Sequence, residues 1–152
     1  MLHLNIEALT ILSTLYVCKY QNQSGAQLIN ISSRGGYTIV PNAVTYCATK
    51  FYVNAFTEGL AQELKQANAQ LTAKVLAPAA TKTEFGQKAN NTTEYDYDNC
   101  FARYHTANQM AEFLLALYDS NKVIGEINTK DFSFSLKDSL FSYSGNPSEN
   151  QK

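Results

Sequence analysis

The sequence predicts an α/β fold, a partial doubly wound parallel sheet with crossover helices. Apolar residues recur at spacings of three and four over 1–20, 44–67 and 107–118, the period of a helix. Between those stretches, short apolar runs at 26–32, 72–77 and 123–128 read as buried strands. Strand and helix therefore alternate, and parallel strands with helical crossovers are the arrangement that buries such runs.

The first helix carries Leu2, Ile6, Leu9, Leu12, Leu15 and Tyr16 on this spacing, and Met1 opens it with no capping residue ahead. Asn22 to Gly25 turn the chain, Ala26 to Ser32 form the first strand, and Ser33-Arg34-Gly35-Gly36 break it. A loop through Pro41 leads into the second helix, with Phe51, Ala55, Leu60 and Leu64 on its apolar positions. Thr72 to Ala77 form the second strand, closed by Pro78. Residues 84–105 show no period. Phe85, Tyr95, Tyr97, Phe101 and Tyr104 are scattered there among Asn, Thr and acids, either as the inside of a lid or as the lining of an apolar pocket. After the third helix and third strand, Phe132 and Phe134 alternate with serines, and 141–152 form a polar, frayed tail.

At 152 residues the chain has room for one domain. Its 45% hydrophobic and 16% charged residues are too apolar for a disordered chain. The formal net charge is −1, with no basic stripe or cluster, so neither nucleic acid nor an anionic membrane is an expected partner. Asn5, Glu7, Thr10, Ser13 and Thr14 interrupt the apolar start, and no basic segment leads it, which fits neither a signal peptide nor a membrane span. Cys18, Cys47 and Cys100 are an odd, widely spaced set. They read as reduced thiols, which implies a cytoplasmic protein, and the sequons at Asn22, Asn30 and Asn91 are then chance matches. No metal site is expected: His3 and His105 are isolated, and Glu94, Asp96 and Asp98 lack the glycine and closing glutamate of a calcium loop.

Tyr46 and Lys50 stand four apart on one helix and share a face. A phenol titrates near ~10, and a neighbouring ammonium favours the phenolate and draws its pKa toward neutrality. Such a pair can move a proton on or off an alcohol oxygen. A serine hydroxyl from the adjacent loop could hold that oxygen, and Ser33 lies thirteen residues before Tyr46. With ten tyrosines and ten lysines, chance alone supplies ~0.7 such pairs. The chain indeed holds a second, Tyr118 and Lys122, which has no serine at the matching distance. Requiring the serine lowers the chance expectation to ~0.05.

With these residues the sequence resembles the short-chain dehydrogenase/reductase family over roughly 1–128. Asn30-Ile31-Ser32-Ser33-Arg34-Gly35-Gly36 looks like the family's strand ending in its serine, and Tyr46-Cys47-Ala48-Thr49-Lys50 like its Y-x-x-x-K. Asn5, 28 residues before Ser33, is similar to the family asparagine that holds a relay water. Val75 to Thr83 resembles the segment that contacts the nicotinamide. The resemblance implies a Rossmann-like fold and hydride transfer between NAD or NADP and a small carbonyl or alcohol. It implies that Tyr46 is the general acid or base, that Ser33 orients the carbonyl, and that Asn5 extends the relay. Lys50 would lower the tyrosine pKa and bond the nicotinamide ribose, and Pro78, Thr81 and Thr83 would border the carboxamide. The family builds its substrate loop where 84–105 lie, and its first helices supply an oligomer interface, so self-association is expected.

Two departures accompany the resemblance. Ala79 stands where the family has glycine after Pro78. The glycines, at 25, 35, 36, 59, 86, 125 and 145, form no G-x-G, so the turn that holds a pyrophosphate is missing. The chain therefore resembles the C-terminal half of a reductase domain over 1–140, and a fragment is expected. The alternative is a non-catalytic remnant or interaction module that retains half of the fold.

Overall fold

A computed structural model describes residues 1–128 and 130–144. The chain opens with a π-helical segment, His3–Ala8, that runs straight into helix α1, Leu9–Tyr20. Strand β1, Gln27–Ile31, follows, then a 3-10 turn at Arg34–Gly36, helix α2, Val44–Gln66, and strand β2, Thr72–Ala77. Two short strands, β3 at Thr81–Lys82 and β4 at His105–Thr106, bracket the short helices α3, Phe85–Asn90, and α4, Tyr97–Cys100. Helix α5, Ala107–Asp119, leads to β5, Ile124–Ile127, and β6, Phe134–Lys137.

The main sheet has the order β1-β2-β5-β6. β1, β2 and β5 are parallel, with Asn30 opposite Val75 and Val75 opposite Ile124, as the alternation of elements predicts. Side chains alternate across a strand, and β2 shows what lies on each face. Ala73 packs with Leu64 of α2 and with Tyr16 and Tyr20 of α1, and Val75 packs with Val53 and Leu9. Lys74 points the other way, to α5. Helices thus cover both faces, the doubly wound arrangement.

Lys74 is buried, and its ammonium donates to the carbonyls of Leu117 at 2.9 Å, Tyr118 at 2.9 Å and Ser120 at 2.6 Å. These are groups that the end of α5 leaves without helical partners. At the other end of α5, Thr106 and Gln109 form a reciprocal capping box. Asn30 is buried beneath α1 and α2, donating to Thr57 Oγ1 at 3.0 Å.

β6 was not evident in the alternation of Phe132 and Phe134, and it runs antiparallel to β5. Phe132 has φ +65°, and the Asn128 amide donates to the Ser133 carbonyl at 2.8 Å, so the chain reverses too tightly for a helical crossover. Phe134 then stacks on Phe113 of α5 with centroids 4.5 Å apart. Among the described residues no helix is long and apolar enough to cross a membrane. Most of the polar tail expected at 141–152 lies outside the described residues.

Candidate active site

The site forms where the parallel strands end. Ser33 leaves β1 in an extended conformation, and its hydroxyl accepts from the Gly35 amide at 3.1 Å, which starts the 3-10 turn. This turn is pressed onto α2: a Cβ on Gly36 would stand 2.4 Å from Asn54 Nδ2 and 2.7 Å from the Lys50 carbonyl. The Arg34 amide donates to the Pro78 carbonyl at 2.8 Å, and its guanidinium Nη1 donates to the Ile127 carbonyl at 2.7 Å. One residue therefore ties together the ends of β1, β2 and β5.

Tyr46 and Lys50 occupy the first turns of α2, facing this loop. The Lys50 ammonium donates to the Ile31 carbonyl at 3.0 Å and lies 5.8 Å from the centre of the Tyr46 ring. Thr49, buried between them, donates to the Tyr46 carbonyl at 2.8 Å and accepts from Asn5 Nδ2 at 2.9 Å. The π-helical widening of the first helix carries Asn5, and such widenings often mark functional positions.

Burial pushes the Tyr46 phenol above its ordinary value, and hydrogen bonding from Ser33 partly opposes this. Burial also pushes the Lys50 ammonium down. The depression of the tyrosine expected from Lys50 is absent here. The ammonium is engaged at the Ile31 carbonyl, so desolvation outweighs its field at the phenol.

Ser33, Tyr46, Lys50, Pro78, Thr81 and Thr83 all line one cleft of about 590 Å³. Asn5 does not; it reaches the site through Thr49. Thr81 Oγ1 donates to the Ala79 carbonyl at 3.0 Å, and Thr83 Oγ1 accepts from the Phe85 amide at 3.2 Å, so it also shapes the start of α3. Phe85, Tyr95, Tyr97 and Phe101, from the stretch without periodicity, line the cleft's outer wall. Tyr97 is buried and also lines the cleft. Val40, Ala43 and Met110 also line the cleft, and their sequence carries no motif that could have flagged them.

The other candidates separate. α5 ends at Asp119, and Lys122 pairs with Asp138 at 2.9 Å, so Tyr118 and Lys122 do not share a helical face. Asp96 caps α4, accepting from the amides of Asp98 and Asn99, while Asp98 accepts from the Tyr104 hydroxyl at 2.5 Å. His105 is buried between the rings of Phe113 and Phe132.

The lining fits the nicotinamide-ribose end of a dinucleotide. An ammonium has three donors, and Lys50 uses one on Ile31, which leaves two for vicinal hydroxyls at the cleft floor. The adjacent glycines of the site offer a pyrophosphate no cradle. Gly35 and Gly36 are buried against α2 and cannot cradle a phosphate.

Known proteins resemble the chain in sequence and fold. The human dehydrogenase/reductase SDR family member 11 is 36% identical over 95 residues, which are 60% of this chain and 36% of that protein. The chain thus spans about a third of the length of that curated relative. A short-chain dehydrogenase from Sphingobium yanoikuyae, solved with NADPH, superposes with a TM-score of 0.72 at 25% identity, over 85% of this chain and 48% of its own. The 3-oxoacyl-[acyl-carrier protein] reductase of Brucella melitensis, solved with NAD, shares the fold with a TM-score of 0.57 at 21% identity, over 77% of this chain and 48% of its own. Residues 1–94, more than half of the chain and including every element that carries Ser33, Tyr46 and Lys50, match the family model of the short chain dehydrogenases, and the protein belongs to that family.

Proposed function

We propose that this chain carries the proton-transfer and substrate-holding part of an oxidoreductase that uses NAD or NADP on a small carbonyl or alcohol. The observation that carries the reading is the convergence of Ser33, Tyr46 and Lys50 on one cleft bordered by Pro78–Thr83. When bound, the nicotinamide supplies or accepts a hydride. The Ser33 hydroxyl holds the carbonyl oxygen, and the Tyr46 hydroxyl gives it a proton in reduction or takes one in oxidation. Lys50 turns its free N–H groups to the ribose and, from there, adds positive charge near the phenol. Asn5 positions the Tyr46–Lys50 turn through Thr49 and leads the proton onward. Thr81 and Thr83 border the carboxamide.

The purified chain, given NADH or NADPH at millimolar concentration and a neutral ketone, is expected to oxidise the cofactor slowly. Tyr46→Phe keeps the ring and removes the transferable proton, so the rate is expected to fall by at least ~100-fold. An unchanged rate in the variant defeats the assignment of Tyr46. A second reading, a non-catalytic interaction module, keeps the same cleft without turnover. It wins if the wild-type chain shows neither turnover nor cofactor binding.

Self-association belongs to the same proposal. Leu4, Leu12 and Leu15 are exposed along the first helix, and β1 is an edge of the sheet. Sedimentation at several concentrations tests it. The free thiols of Cys18, Cys47 and Cys100 support a reducing, cytoplasmic setting.

A further inference from the structure

We infer that the cleft selects neutral carbonyl compounds with a bulky apolar flank, aryl ketones and their alcohols, over carbonyl compounds whose flank carries a carboxylate or a phosphate. This inference rests on reading the cleft as a carbonyl site and adds the class of substrate.

Among the residues that line the cleft, Lys50 is the one that carries charge at neutral pH, and it lies at the floor beside Tyr46, donating to Ile31. The outer wall is Phe85, Gly86, Ala89, Tyr95, Phe101 and Met110. Two of the polar groups beside it are already paired. The Tyr97 hydroxyl accepts from the Gly86 amide at 3.0 Å and donates to the Thr83 carbonyl at 3.2 Å, and Asn90 Nδ2 donates to the Gly86 carbonyl at 2.8 Å. A carboxylate or phosphate lodged against this wall loses water and gains no cation in exchange.

The same wall suits a ring. The Tyr97 and Phe101 rings stack with centroids 5.8 Å apart, and Tyr95 lies directly over Gly86, where any Cβ would stand 2.4 Å from its ring. Apolar groups continue to the solvent-exposed part of the lining: Phe85 is 59% exposed and Val40 42%. Covering such surface with an apolar ligand is favourable without any ionic contact. Tyr46 and Ser33 supply the polar groups that fix the carbonyl.

The test reads binding alone, with no cofactor. Acetophenone and 4-acetylbenzoate are both aryl ketones, the second carrying a carboxylate on the ring, on the flank that meets the outer wall. The chain is titrated with each by ligand-observed NMR. Acetophenone is expected to bind at least tenfold more tightly. Ala89→Arg, at an exposed position of the outer wall, is expected to close or reverse that gap, and Val40→Arg does the same should the first variant not fold. Equal affinities, no acetophenone binding, or an unchanged ratio in a folded arginine variant overturn the inference. A chain that discriminates but shows neither turnover nor cofactor binding defeats the oxidoreductase reading and keeps this one. Turnover that prefers 4-acetylbenzoate does the reverse.

Discussion

Lys50 is held by the main-chain carbonyl of Ile31 at 3.0 Å, so the helix that carries the site is fastened to the last residue of the edge strand. The ammonium lies 5.8 Å from the centre of the Tyr46 ring, and the phenol's pKa is moved by burial first and by Ser33 against it.

The titration of Tyr46 is therefore expected to follow Ser33 and to ignore Lys50 in the cofactor-free chain. A hydroxyl that donates to the phenolate favours the charged form, so Ser33→Ala removes a lowering effect and moves the Tyr46 pKa further up. Lys50→Met leaves it in place and costs no more than about 1 kcal/mol of stability for one lost hydrogen bond. Carbon-13 tyrosine NMR across alkaline pH reads both. A pKa that rises on Lys50→Met contradicts the geometry.

Glu58 is buried on α2 and accepts from the Tyr37 hydroxyl at 2.6 Å and from the amides of Leu140 at 2.7 Å and Phe141 at 3.1 Å. Glu58→Ala leaves these donors without a partner, and a loss of roughly 2–4 kcal/mol is expected. Urea denaturation measures it, and limited proteolysis should cut near Leu140 first. Burial, then the Glu58 hydrogen bond, hold the Tyr37 pKa far above its ordinary value. A group with a raised folded pKa stabilises fully below its unfolded pKa and loses that contribution as pH rises. Stability is expected to decline above about pH 10, and Tyr37→Phe should flatten the decline.

Gly86→Ala is expected to reshape the cleft without touching a polar group. The new Cβ would stand 2.4 Å from Tyr95 Cδ1 and 2.8 Å from its Cγ, so the whole ring must move. Overpacking of this kind costs about 1–3 kcal/mol. Thermal denaturation together with acetophenone titration checks it, and unaltered stability and binding would show that Tyr95 is not seated on Gly86.

The regular elements were legible in the sequence because their apolar periods are imposed by the two-sided burial of β2 and its neighbours. The helix expected over 44–67 is Val44–Gln66, and the strand expected over 72–77 is Thr72–Ala77. Ser33, Tyr46 and Lys50 were legible through spacing, since a loop and a helix turn meet wherever those intervals recur. Residues 84–105 were not legible. Their order comes from contacts such as Tyr97 with Gly86 and Thr83, which leave no local period. Lys74 and Glu58 look in the sequence like ordinary surface charges. Each is buried because main-chain groups from distant segments converge on it, and nothing local announces that convergence. The direction of the Tyr46 shift was misjudged for a related reason: a spacing of four brings two side chains to one face but does not say which atom the ammonium will choose.

The ammonium of Lys74 spends three hydrogen bonds on the carbonyls that end α5, in a residue that is itself buried. Burial lowers its pKa, so part of what holds the proton there is the helix end itself. Chemically this amine is masked. Acylating reagents need a free, deprotonated and reachable nitrogen, and Lys74 becomes all three only when the last turn of α5 unwinds. Its modification would therefore mark opening of the helix, while lysines such as Lys88, whose side chain is 76% exposed, would react from the folded state.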